Sequence, residues 1–83
     1  MIKKVDPDYP PQAMSQRLEG PVVLLAWVGT DGSIRDLKLV RGYFVLGRAA
    51  FEAVKQWRFK PYSQNGKAID FQTYITVTFK VPS

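Results

Sequence analysis

The side chains able to do chemistry are few in kind. The 83-residue chain carries 7 Asp and Glu and 12 Lys and Arg, with no histidine and no cysteine. Acid–base catalysis near neutral pH relies on a group poised near that pH, most often histidine or a carboxyl in an unusual environment. Here the carboxylates Asp6, Asp8, Glu19, Asp31, Asp36, Glu52 and Asp70 are scattered along the chain, and Asp31-Gly32 reads as a turn. Lack of cysteine removes a thiolate nucleophile, a thiolate metal site and a disulfide framework. The oxygen ligands lack the clustered spacing of a calcium loop, and no glycine-rich loop stands before a helix to cradle phosphate. The sequence predicts a protein that is not an enzyme and needs neither metal nor cofactor.

What remains is recognition. The formal net charge of +5 suits an acidic partner, and Gln56-Trp57-Arg58-Phe59-Lys60-Pro61 interleaves aromatic with basic residues as a base-stacking platform would. Two features argue against nucleic acid. Lysine and arginine are spread over the whole chain, and Trp57 completes a helical stripe. Leu46, Ala49, Ala50, Ala53, Val54 and Trp57 recur at i, i+3, i+4, i+7, i+8 and i+11, one face of a 3.6-residue period. Trp57 and Phe59 are thus expected in the core, and Pro61 stops the helix. Arg48, Glu52 and Lys55 fall on the solvated face, with Arg48 and Glu52 spaced for an i,i+4 pair.

The elements that must position any binding surface follow from pattern. Pro11 to Glu19 allows a short helix that Gly20 would end. Val22 to Val28 and Ile34 to Arg41 are β-rich runs joined through Asp31-Gly32, a hairpin signal. Leu37 and Leu39 share a face that Ile34 misses, which predicts a bulge or a strand end near Arg35-Asp36. After the long helix and the turn Ser63-Gln64-Asn65-Gly66, alternation from Ile69 to Val81 puts Ile75, Val77 and Phe79 on a core face and Tyr74, Thr76, Thr78 and Lys80 on a solvated one. A right-handed crossover places this third strand beside the first. The expected fold is α+β: a three-stranded antiparallel sheet of order 2-1-3 with two helices on one face.

Two surfaces then lack an obvious cover. The third strand would be a long edge without the inward charges, proline or short length that usually guard one. Opposite the helices, Val23, Leu25 and Trp27 would form an apolar patch near Tyr74, open to the N-terminal segment, a partner or a second copy. The N-terminal segment holds Pro7, Pro10 and Pro11 among charged residues, so residues 1–8 read as the end of an extended linker and residues 9–83 as the domain. Met1-Ile2-Lys3-Lys4 is too short and polar for a signal peptide.

The motifs taken together have a family resemblance. Tyr9-Pro10, Ala13, Gly20-Pro21-Val22, Val28, Asp31-Gly32-Ser33-Ile34, Ala49-Ala50, Ala53-Val54 and Trp57-Arg58-Phe59-Lys60-Pro61 occur in an order that resembles the C-terminal domain of TonB, the periplasmic energy transducer. The resemblance runs from Tyr9 to about Val81. It implies a three-stranded sheet with two helices that binds the Ton box, an N-terminal segment of outer-membrane transporters, as an added strand beside the last strand of the sheet. It further implies an inner-membrane anchor on a proline-rich periplasmic linker, work with ExbB and ExbD, and use of the proton-motive force for uptake. On this basis Tyr74, Ile75, Thr76, Val77, Thr78, Phe79 and Lys80 are the expected partner-binding edge, with Asp6 and Tyr9 as additional contacts. Val23, Leu25 and Trp27, more apolar than is usual in the family, mark a second interface, for instance in a homodimer. The alternatives are a self-associating or sensor-fused module outside transport and, more remotely, a basic nucleic-acid-binding domain.

Overall fold

A computed structural model describes residues 2–81; the expected domain's last residues, 82 and 83, and the first residue of the N-terminal reading lie outside them. The elements are α1 (Pro11–Ser15), β1 (Gly20–Val28), β2 (Ile34–Arg41), α2 (Phe44–Val54), β3 (Tyr62–Gln64), β4 (Lys67–Ile69) and β5 (Phe71–Phe79). The main sheet has the order β2-β1-β5, antiparallel throughout, and β3 and β4 form a separate two-stranded hairpin. This is the α+β architecture expected from the pattern, with β5 as its third strand.

β1 is the central strand. Val22, Leu24, Ala26 and Val28 are buried on one face, where Leu46, Ala50, Ala53 and Val54 of α2 meet them together with Trp57. Ile75, Val77 and Phe79 complete that core from β5. The aromatic stretch is therefore structural: Trp57 is 5% exposed, and the half-buried Phe59 packs edge-on to Phe71 with ring centroids 6.0 Å apart. Gly47 of α2 faces β2, where a Cβ would sit 3.0 Å from the Leu39 side chain, so glycine lets the two elements approach closely. The β1–β2 turn is pinned from below. Phe59 donates its amide to the Gly32 carbonyl at 2.8 Å, and Gly32 has a φ of +84° with Phe59 filling the space a side chain would need. Asp31 accepts hydrogen bonds from the Ser33 hydroxyl (2.6 Å) and amide (2.9 Å) in the same turn. These bonds, the hydroxyl's first, hold its carboxyl below the usual range.

Several local expectations change. α1 ends at Ser15 rather than Glu19, because Arg17 takes a left-handed φ of 54° and turns the chain before Gly20. Of the bulge or strand end expected near Arg35-Asp36, the structure has the bulge: β2 runs on to Ile34, and Trp27 pairs with Asp36 while Val28 pairs with Ile34, leaving Arg35 as the extra residue. A second shift, between Val23↔Arg41 and Leu24↔Leu39, leaves Val40 unpaired on β2. Asp70 interrupts the expected Ile69–Val81 strand, and Asn65-Gly66, both with positive φ, close a β3–β4 hairpin that was expected only as a turn. Glu52 pairs with Lys55 at 2.7 Å, not with Arg48. The hydrogen bond and charge of Lys55 depress the Glu52 carboxyl, and Arg48 adds only a weaker attraction.

The N-terminal segment is extended, as its prolines require, but it does not cover the helix-free face. Its course is along α2, where Val5, Asp6, Asp8, Tyr9 and Pro10 form one wall of a groove whose other wall includes Val45, Ala49 and Ala53. Backbone bonds hold it there: the Ile2 and Lys3 amides donate to the Arg58 carbonyl (2.8 and 3.1 Å), and the Arg58 amide donates to the Lys3 carbonyl (2.9 Å). The Trp57 indole donates to the Val5 carbonyl at 2.8 Å, which satisfies the polar edge of an otherwise apolar buried ring.

Candidate functional site

The β5 edge is built by an unbroken ladder. Pairing with β1 runs without a register shift from Gly20↔Phe79 to Val28↔Phe71. Backbone groups along a regular strand point alternately to its two neighbours, so two fixed points determine which groups of β5 face outward. At one end, the Gly29 amide donates to the Ser33 carbonyl and the Gly29 carbonyl accepts from Gly32, so Gly29 faces the β2 side. Alternation then turns Val28, Ala26, Leu24, Val22 and Gly20 toward β5, and their partners Phe71, Thr73, Ile75, Val77 and Phe79 toward β1. At the other end, the Val81 amide donates to Glu19 Oε2 at 2.7 Å, so the odd-numbered residue there also faces the β1 side. The outward amides and carbonyls of β5 therefore belong to Gln72, Tyr74, Thr76 and Thr78. Among the described residues β1 is the only strand paired with β5.

Those outward-bonding residues are also the exposed ones. Tyr74, Thr76 and Thr78 are solvated, whereas Ile75, Val77 and Phe79 are anchored in the core. Lys80 lies just beyond the strand and is exposed. β5 carries no charged residue between Phe71 and Phe79. The edge thus combines a fixed backbone, side chains that do not obstruct it, and no charge to repel an incoming strand. It is suited to main-chain hydrogen bonding rather than to bond-making chemistry.

Of the two additional expected contacts, Tyr9 is tied to β5 and Asp6 is not. The Tyr9 ring stands edge-on to Phe79 with centroids 5.5 Å apart, and its hydroxyl donates to the Leu18 carbonyl. Burial, and then the Glu19 carboxylate, push that hydroxyl's pKa up, so it remains a donor. Asp6 is exposed in the groove beside α2. Val23, Leu25 and Trp27 are half-buried on the helix-free face, where Leu25 lies between Lys38 and the 68%-exposed Tyr74. Trp27 lies between Asp36 and Gln72 in the same way. This patch adjoins the β5 edge through Tyr74, so the two expected surfaces share a border. Among the described residues, no helix is long and apolar enough to cross a membrane and no acidic cluster has the make-up of a metal site.

Residues 5–81 match the family model for the Gram-negative bacterial TonB protein C-terminal region. The chain belongs to the TonB C-terminal family. Protein TonB of Vibrio cholerae is 31% identical over 80 residues, covering 94% of this chain and 33% of the relative. Protein TonB of Pseudomonas aeruginosa is 30% identical over 77 residues, covering 90% of this chain and 22% of the relative. The chain thus spans a third or less of these TonB relatives. The solution structure of the Pseudomonas aeruginosa TonB C-terminal domain superposes with a TM-score of 0.78 at 27% identity, covering 99% of this chain and 85% of that one. The Helicobacter pylori TonB C-terminal domain shares the fold, with a TM-score of 0.55 over 87% of this chain and 79% of that one at 24% identity. TonB proteins are not enzymes, in keeping with the family to which this domain belongs.

Proposed function

We propose that this TonB C-terminal domain captures the N-terminal Ton box of outer-membrane transporters by strand addition along β5. The observation that supports this most strongly is the run of outward backbone groups at Gln72, Tyr74, Thr76 and Thr78 on an uncharged, regular edge. A bound segment would accept from and donate to these groups, which provides affinity with little dependence on its sequence. Its side chains would meet Tyr74, Thr76 and Thr78, which would tune specificity. In this reading the domain works in the periplasm, joined through an N-terminal linker and anchor to the inner membrane, and relays proton-motive-force-derived energy from ExbB and ExbD to the transporter. Tyr9, fixed to Phe79, then supports the binding strand from behind, and the exposed Asp6 meets the partner outside the strand itself.

The test is an NMR titration of the labelled domain with synthetic Ton-box peptides. The expected result is amide shifts concentrated on Tyr74 to Lys80. Shifts confined to α2 or β2, or no binding by any peptide, would overturn the assignment. The apolar patch of Val23, Leu25, Trp27 and Tyr74 favours a second reading, a self-associating module. Sedimentation would support it if the mass rose with concentration in a manner reversed by Leu25→Lys.

A further inference from the structure

We propose that residues 2–5 are a detachable strap that receives pull on the N-terminal end first and, on letting go, transfers the load to β5 through Tyr9. The proposal rests on the force-relay reading above. Two attachments lie in series along the segment. The first is an isolated backbone bridge between Lys3 and Arg58, extended by the Ile2 amide bond to Arg58 and the Trp57 indole bond to Val5. Ile2, Lys3 and Lys4 are exposed, and the Lys4 ammonium rests 5.6 Å from the Trp57 ring centre. The second is Tyr9, half-buried, packed on Phe79 and hydrogen-bonded to Leu18 immediately before α1, whose Ala13 is fully buried.

Geometry sets the order in which these yield. Pull on the N-terminal side reaches Ile2 first, then Lys3, then Val5, so the strap bonds are broken one after another. The exposed pairings at Ile2 and Lys3 open with far less free energy than a core ladder such as β1–β5, and Val5, half-buried against the core, is the last strap residue to let go. While the strap holds, load enters the domain at Trp57 and Arg58, beyond the end of α2. Once it opens, the next fixed point is Tyr9, whose ring bears on the core side of β5. The strap therefore decides whether tension is felt by the α2 end of the core or by the strand with the open edge.

The chain has no cysteine, so single-molecule pulling between its N-terminus and a cysteine introduced by Lys80→Cys loads this path without any bound peptide. Two events are expected. The first lengthens the molecule by well under ~25 Å, the full reach of residues 2–9, because that segment already lies extended along α2, and the second occurs at higher force. Lys3→Pro, which removes one strap amide at an exposed residue, should weaken the first event and leave the second unchanged. Tyr9→Phe should weaken only the second. A single event, or equal sensitivity of one event to both substitutions, would overturn the proposal. Peptide titration of Lys3→Pro is a separate readout and should match the unsubstituted domain. Loss of strap behaviour with peptide docking intact would refute the strap alone, whereas two pulling events without any peptide docking would refute the transporter assignment.

Discussion

β2 and β5 flank the same central strand, yet β2 bears Arg35, Asp36, Lys38 and Arg41 and two register shifts, whereas β5 is uncharged and runs in unbroken register along β1. Charge and bulges are the devices by which natural sheets discourage pairing at an edge. One edge of this sheet is defended and the other is left open. The difference teaches that the openness of β5 is selective: the same small domain guards its other edge in two ways. It also assigns the two helix-side supports different tasks. Gly32 and Phe59 brace the β1–β2 turn, and Tyr9 braces β5 at Phe79.

The largest expected effect concerns the scaffold that both edges share. Leu24→Ala empties the fully buried centre of β1 and should cost about 2–5 kcal/mol in denaturant unfolding. Leu25→Ala, one residue along on the half-buried face, should cost less than about 1.5 kcal/mol. Equal costs would mean that the helix-free face is also core and would weaken the contrast between the two sides of β1. Gly32→Ala should destabilise by about 1–3 kcal/mol, because the residue sits at φ +84° with the Phe59 carbonyl where a side chain would go. As this change acts at the braced turn, peptide affinity of the folded fraction should stay unchanged in calorimetric titration.

Smaller effects discriminate between the edges themselves. Thr76→Pro removes an outward amide without breaking a β1 ladder bond and should lower peptide affinity about 10–100-fold, in line with the free energy of leaving one main-chain partner unpaired. Lys38→Thr, a comparable surface change on β2, should leave affinity within about threefold. If it matched Thr76→Pro, the distinction between the edges would fail.

The smallest effect is acid sensitivity. Asp31 has a carboxyl depressed by the Ser33 hydroxyl and amide. A depressed folded-state pKa adds stability above the unfolded value, and that contribution is lost as pH falls through the folded value. The urea midpoint should therefore drop slightly below about pH 4, and Asp31→Asn should flatten that part of the profile.

Much of this was legible in residue spacing. The α2 stripe from Leu46 to Val54, the Asp31-Gly32 hairpin and the irregularity at Arg35 each have a local cause, a period, a turn residue or a phase error, and each is found in the structure. Trp57 is buried as its spacing required, but α2 stops at Val54, well before Pro61, so the ring reaches the core from beyond the helix. Other features have no local cause. Arg17 ends α1 with a backbone angle that its side chain does not advertise. The β3–β4 hairpin did carry the Asn65-Gly66 signal, but Tyr62–Gln64 and Lys67–Ile69 bury almost nothing and so lack the apolar alternation that marks a strand. The candidate edge was visible as a long alternating strand. The direction of its amides was not, because it depends on hydrogen bonds at Gly29 and at Val81. The N-terminal segment looked like a linker because its composition is one, and its ties run through backbone groups to Trp57 and Arg58, far along the chain.

Amide hydrogen exchange with and without a Ton-box peptide tests the central claim most directly. In the free domain, Tyr74, Thr76 and Thr78 should exchange rapidly while Ile75, Val77 and Phe79 are protected by β1, and the peptide should slow the first set strongly. Protection gained instead at Leu37 and Leu39 of β2, or unchanged exchange at Tyr74, Thr76 and Thr78 in the bound state, would contradict docking at the open edge.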